Sequence, residues 1–143
     1  MTKEPIVVVA ALIEDHGRLL VCQRRRGDAF ELKWEFPGGK VQAGEEPRKA
    51  LERELREELG VESEIGEEIY RTRHFYAQMD RPVELVFFPA KVEAGRVKNL
   101  AFEQMTWTEP EKLPALDFLP ADRGLVEKLA RGSVHLTKRD GGA

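Results

Sequence analysis

Residues 39–61 read GKVQAGEEPRKALERELREELGV, and the rest of the chain can be placed around them. Five residues separate Gly39 from Glu45, and seven separate Glu45 from Arg53. Arg53-Glu54, Glu57-Glu58 and Gly60 then follow closely. A helix brings positions i, i+3 and i+4 to one face, so Glu54, Glu57 and Glu58 share a side. Leu51, Leu55 and Leu59 form a second stripe about 100° round the same helix. One side is therefore predicted to pack on a core while three carboxylates converge on another. Arg53 and Glu57 are i,i+4 neighbours that can pair. Glu46-Pro47 opens the helix, with proline where its missing N–H costs nothing, and Gly60 stands where a helix end favours glycine.

Taken alone, a Glu-rich helix reads as a solvated face. Clustered carboxylates repel one another unless a cation lies between them, and a hard divalent ion with oxygen ligands meets that need. The full pattern resembles the Nudix box, G-x5-E-x7-R-E-U-x-E-E-x-G-U with U aliphatic, and every fixed position matches within 39–61. Seven identities at about 5–8% background make a chance match about 10⁻⁸ per starting position.

The resemblance extends outward. Trp34-Glu35-Phe36-Pro37-Gly38-Gly39-Lys40 is similar to the segment that leads into the box in the MutT and CTP-pyrophosphohydrolase branches. Pro120-Ala121-Asp122, placed 15 residues after Trp107 when counted to Asp122, resembles a P-A-N or P-A-D element of those branches. The fold implied is the Nudix α/β/α sandwich, a mixed β-sheet between helices, as one domain over residues 1–143. The box helix is expected on one face and a terminal helix, Ala121–Arg131, on the other.

The same resemblance implies a metal site made by Glu54, Glu57, Glu58 and the carbonyl of Gly38, holding Mg²⁺, with Mn²⁺ as the alternative. Glu45 and Arg53 join the catalytic set by orienting the loop and the Glu side chains. MutT-like members take a further carboxylate from six residues before a Trp; here that count from Trp107 reaches Ala101, and Glu103 is the nearest substitute. Arg25, Phe36, Gly39, Lys40 and Asp122 are implied as substrate contacts, Arg25 only after a one-residue gap. Asp122 also reads as a helix N-cap, a favoured place for Asp.

The chemistry that suits such a site, with no evident covalent nucleophile, is metal-assisted attack of water on phosphorus. The implied activity is a nucleoside triphosphate pyrophosphohydrolase that releases a nucleoside monophosphate and pyrophosphate. An oxidised purine nucleotide such as 8-oxo-dGTP is the favoured substrate. CTP or dCTP, ADP-ribose and dinucleoside polyphosphates are the rivals, the last because Tyr76 lies 15 residues after Val61. A nucleotide sensor without catalysis is the rival from another class; the intact three glutamates speak against it.

Composition bounds the rest. A chain of 143 residues with 41% hydrophobic and 34% charged residues has the make-up of a globular protein. A net charge of −3 supplies no basic face for a nucleic-acid polymer, so the expected partner is a small nucleotide; oligomeric state is not encoded legibly. Cys22 is the only cysteine and reads as a buried strand thiol, consistent with a reducing cytoplasm. The apolar run before Glu14-Asp15 is too short to span a membrane. His16, in the turn that follows, reads as solvated.

Strands are predicted at Ile6–Ile13, Arg18–Gln23, around Trp34, Val61–Tyr70, Arg71–Met79, Val83–Val92 and Glu103–Trp107. Arg24-Arg25-Arg26-Gly27-Asp28 reads as a basic loop, Glu109–Leu113 as one helical turn, and the end beyond about residue 132 as frayed.

Overall fold

The computed structural model describes residues 4–134 and 136. The end expected to fray falls, beyond residue 136, outside the described residues. Strand β1 (Ile6–Leu12) is β-branched for most of its length and lies inside a sheet. It pairs antiparallel with β5 (Gly38–Lys40) and parallel with β8 (Val83–Lys91), in a register from Ile6↔Val83 to Leu12↔Pro89. Along the other edge of β8 lie β7 (Tyr70–His74) and β6 (Glu64–Ile65), both antiparallel. A second sheet has β3 (Arg18–Gln23) at its centre, paired antiparallel with β2 (Glu14–Asp15), β4 (Trp34–Glu35) and β9 (Gln104–Thr108).

Period-2 alternation splits the apolar side chains between two cores. Val9, Ala11 and Ile13 of β1 and the segment after it join Leu20, Cys22, Val86 and Phe88 beneath helix α1 (Pro47–Leu59). Ala10, Leu12, Leu19, Val21, Leu85 and Phe87 point the other way, towards α2 (Arg123–Ala130) and its Leu125, Val126 and Leu129. The result is the expected α/β/α sandwich. Leu51, Leu55 and Leu59 are fully buried, which stabilises the α1 packing by about 1.5–3 kcal/mol for each side chain.

Helix α1 starts and stops as its sequence indicates. The Glu46 carboxylate accepts the Arg48 and Lys49 backbone N–H groups, and Pro47 follows it at the first helical position. Gly60 takes a left-handed conformation, φ 67°, and donates its N–H to the Arg56 carbonyl. Cys22 is buried, and burial pushes its thiol pKa up.

Three expected elements differ. Val61–Tyr70 is no continuous strand: Glu64–Ile65 pairs with Ala90 and Lys91, and pairing resumes only at Tyr70, where β7 begins opposite Phe87. The segment has no apolar period to hold it flat on a core, and Gly66 packs so closely on Pro89 that a Cβ would lie 2.9 Å from its ring. The Arg71–Met79 strand runs instead from Tyr70 to His74, after which the Met79 N–H donates back to the Tyr76 carbonyl in a turn. The terminal helix starts at Arg123, because Pro120–Asp122 forms a separate 3-10 turn.

Candidate active site

The junction of β5 and α1 is built on two close approaches. A Cβ on Gly38 would lie 1.9 Å from the Val9 carbonyl oxygen, and one on Gly39 would lie 2.5–2.6 Å from the Glu54 carboxyl atoms. Only glycine at both positions lets β5 lie against β1 and lets Glu54 reach the strand. The Gly38 N–H donates to Glu58 Oε1 at 3.0 Å, so Glu54 and Glu58, one helical turn apart, both reach the Gly38-Gly39 segment.

Arg53 ties the loop to the helix. Its Nε and Nη2 donate to the two Glu45 oxygens at 2.8 and 2.9 Å. Nη1 donates to Glu54 at 2.9 Å and to Glu57 at 3.4 Å, and Nη2 also reaches the Lys40 carbonyl at 3.1 Å. Planar donors in a fixed fork are what this fivefold connection requires. The Arg53 bonds and the Gln42 N–H hold the Glu45 pKa down at about 2, and Glu45 in turn pushes Arg53 up.

The two inward glutamates shift the same way, Glu58 without a cation to oppose it. Burial first, then the charges of Glu54 and Glu35, push the Glu58 pKa up to about 9. Burial also raises Glu54, opposed by Arg53 and reinforced by Glu57 and Glu45. Glu57 points outward, its side chain 59% exposed. The three box glutamates thus share a helix face, but Arg53 draws Glu57 and Glu54 to itself. Among the described residues no three acidic, His or Cys side chains are gathered tightly enough to enclose a metal ion. The donor chemistry nonetheless fits a hard divalent cation: the ligands are oxygens, and their mutual negative charge adds to burial in raising the Glu54 and Glu58 pKa values.

A second group lies on the α2 side. Asp122 is 2% exposed. Burial, followed by the nearby Glu35 charge, pushes its carboxyl pKa well above the usual carboxylate range, opposed by the nearby Phe36 backbone N–H. It makes no side-chain cap bond to α2, which corrects the N-cap expectation: the carboxyl faces β4 instead of the helix. Phe36 is buried against Phe87 and Phe118, with ring centroids 6.0 and 5.3 Å away.

Glu35 joins the two groups and was not among the expected site residues. Its charge raises both Glu58 and Asp122, and burial raises its own pKa against the opposing charge of Arg24. Arg24 Nη1 lies 3.0 Å from Glu35 Oε1, and its Nε donates to the Ala29 carbonyl at 2.6 Å. Arg25 is exposed on the same loop. The signal for Arg24 was parity: it continues the Leu20, Cys22 face of β3. Glu103 lies just before β9, exposed, where it accepts the Arg26 backbone N–H at 3.3 Å. Lys40 is exposed at the end of β5, and only its carbonyl meets Arg53.

The NUDIX domain family model matches residues 3–129. The chain belongs to the Nudix family. A Nudix relative named CTP pyrophosphohydrolase, from Escherichia coli strain K12, is 38% identical over 122 residues, covering 85% of this chain and 89% of its own. An 8-oxo-dGTP diphosphatase from Haemophilus influenzae is 34% identical over 130 residues, covering 90% and 94%. The crystal structure of a MutT protein from Methanosarcina mazei Go1 superposes with a TM-score of 0.80 at 25% identity, covering 93% and 99%. The chain is a Nudix hydrolase, and Nudix hydrolases generally need divalent metal ions. No helix among the described residues is long and apolar enough to cross a membrane.

Proposed function

We propose that this chain is a Mg²⁺-dependent nucleoside triphosphate pyrophosphohydrolase that releases a nucleoside monophosphate and pyrophosphate in the cytoplasm. The observation that carries the reading is the pair of inward carboxylates, Glu54 and Glu58, meeting Gly39 and Gly38. Glu54, Glu57, Glu58 and the Gly38 carbonyl would hold Mg²⁺, or Mn²⁺ in its place. The ion supplies Lewis-acid neutralisation of phosphate oxygens and acidifies water. Arg53 and Glu45 orient the carboxylates, and Glu103 is the candidate for taking a proton from the attacking water. Gly39 and Lys40 border the phosphates.

Phe36, Asp122, Glu35 and Arg24 form the base-facing end. The Asp122 carboxyl accepts hydrogen bonds and, when protonated, also donates one. That suits an oxidised purine such as 8-oxo-dGTP. CTP is the second reading, favoured by the relative at 38% identity that carries that name. A panel of nucleotides assayed with Mg²⁺ for pyrophosphate against orthophosphate tests the proposal. Pyrophosphate from 8-oxo-dGTP at a higher kcat/KM than from dGTP or CTP is the expected result. Absence of hydrolysis across the panel would overturn it.

A further inference from the structure

Glycine is a poor helix former, yet α2 is only eight residues long and carries Gly124 as its second residue. Its neighbour in space supplies the reason. A Cβ at position 124 would lie 2.8 Å from the Tyr70 hydroxyl oxygen and 3.9 Å from the Tyr70 Cζ. The first distance is inside van der Waals contact and the second is an ordinary contact. The phenol oxygen therefore stands where a side chain at 124 would go, while the ring itself leaves room.

Tyr70 is held from its own side. It opens β7 opposite Phe87, and the Ile69 N–H beside it donates to the Phe87 carbonyl at 2.9 Å. Its ring packs on the α2-side core. Ring centroids are 5.9 Å apart for Tyr70 and Phe87, 6.0 Å for Phe87 and Phe36, and 5.3 Å for Phe36 and Phe118. An aromatic row thus leads from Gly124 to Phe36 and on to Phe118. The start of α2 meets both ends of this row. Arg123 Nε donates to the Phe118 carbonyl at 3.2 Å, and the next residue, Gly124, faces Tyr70. Asp122 directly precedes this pair and is buried.

We infer that Tyr70 is a positioning residue whose hydroxyl, seated against Gly124, sets how closely the start of α2 and the Asp122 turn approach Phe36. Its consequence for turnover rests on the proposed reading that Phe36 and Asp122 face the base. Tyr70 packs on the α2-side core and α1 on the opposite one, so a change at Tyr70 or Gly124 alters substrate binding while the chemical step keeps its rate.

Gly124→Ala, Tyr70→Phe and the double variant test the pair, read by thermal melts and by steady-state kinetics on the best nucleotide of the panel. Gly124→Ala forces a methyl against the phenol oxygen and should lower Tm by about 2–8 °C. The same substitution in the Tyr70→Phe background puts a methyl where the oxygen was. There it should raise Tm by about 1–3 °C, the gain of alanine over glycine in a helix. Each single variant should raise KM about 3- to 10-fold with kcat within about 2-fold of wild type, and the double variant should bring KM back to within about 2-fold. A Gly124→Ala protein with a raised Tm and an unchanged KM would overturn the inference, because the phenol then yields freely. Additive losses in the double variant would overturn it as well. A fallen kcat with an unchanged KM would overturn the positioning role. Should Gly124→Ala fail to fold, a folded double variant supports the pair and an unfolded one overturns it. A wild-type protein that hydrolyses nothing in the panel sinks the functional reading, and the melts still decide whether Tyr70 and Gly124 act on each other.

Discussion

The carboxyl of Asp122 lies close to the backbone N–H of Phe36, bringing the segment that enters the box up to the turn that starts α2. Asp122→Asn keeps one oxygen acceptor and replaces the other oxygen with an amide group that only donates. Relative kcat/KM should therefore move about 10-fold or more against bases that present an N–H and towards bases that present an acceptor. Ratios unchanged across oxidised and normal nucleotides would remove Asp122 from the site.

The same variant carries a pH signature. The folded-state pKa of Asp122 is raised, so its stabilising contribution is complete below its ordinary pKa of 3.8 and is lost as pH rises towards the folded value. Asp122→Asn should gain Tm relative to wild type on going from pH 4 to pH 8. Parallel Tm curves would show that the carboxyl ionises freely.

Glu58 adds a wider window. Its pKa rises from 4.5 to about 9 on folding, so stability of the metal-free protein should fall as pH climbs between those values. Glu58→Gln should flatten that fall in EDTA. Added Mg²⁺ should raise the wild-type Tm more at pH 8 than at pH 5, because a cation binds the deprotonated carboxylate. Equal Mg²⁺ effects at both pH values would place the ion elsewhere.

The two box glycines should fail differently. In Gly39→Ala the new Cβ meets the end of a movable side chain, Glu54, so the fold should survive with Tm within a few degrees and kcat about 10-fold lower or worse. In Gly38→Ala it meets the Val9 main chain, which cannot yield. A loss of about 3 kcal/mol is expected, roughly 6–12 °C in Tm for a chain of this size. Thermal melts of both variants beside their kinetics decide this.

Glu57→Gln keeps size and removes charge from an exposed carboxylate. A kcat loss of at least about 10²-fold is expected if Glu57 holds the ion, the scale of one lost electrostatic stabiliser. Tm should change little, since Glu57 contributes only a long bond to Arg53. Near-normal turnover at saturating Mg²⁺ would make it a solvated charge.

What the sequence disclosed was local. The Leu51, Leu55, Leu59 stripe, the Gly60 stop and the box spacing all lie within one helix, where the 3.6-residue period reports directly on packing. Glu35 and Arg24 escaped because their importance comes from neighbours far along the chain: Glu35 matters through Glu58 and Asp122. The Asp122 cap reading failed for the same reason, since its carboxyl is buried beside Phe36 and Glu35 and makes no cap bond to α2. Around β6, pairing is imposed by the edge of β8 and leaves no period in Val61–Tyr70 to read.

Strand β1 sends Val9 and Ala11 to one core and Ala10 and Leu12 to the other. The box carboxylates hang from the first of these cores and Asp122 sits over the second. Substitutions in the α2 layer can therefore accumulate in a duplicated gene, remodelling the wall proposed to face the base, while the α1 layer is inherited unaltered. A single backbone ribbon divides the molecule into a part that can diversify and a part that must be kept.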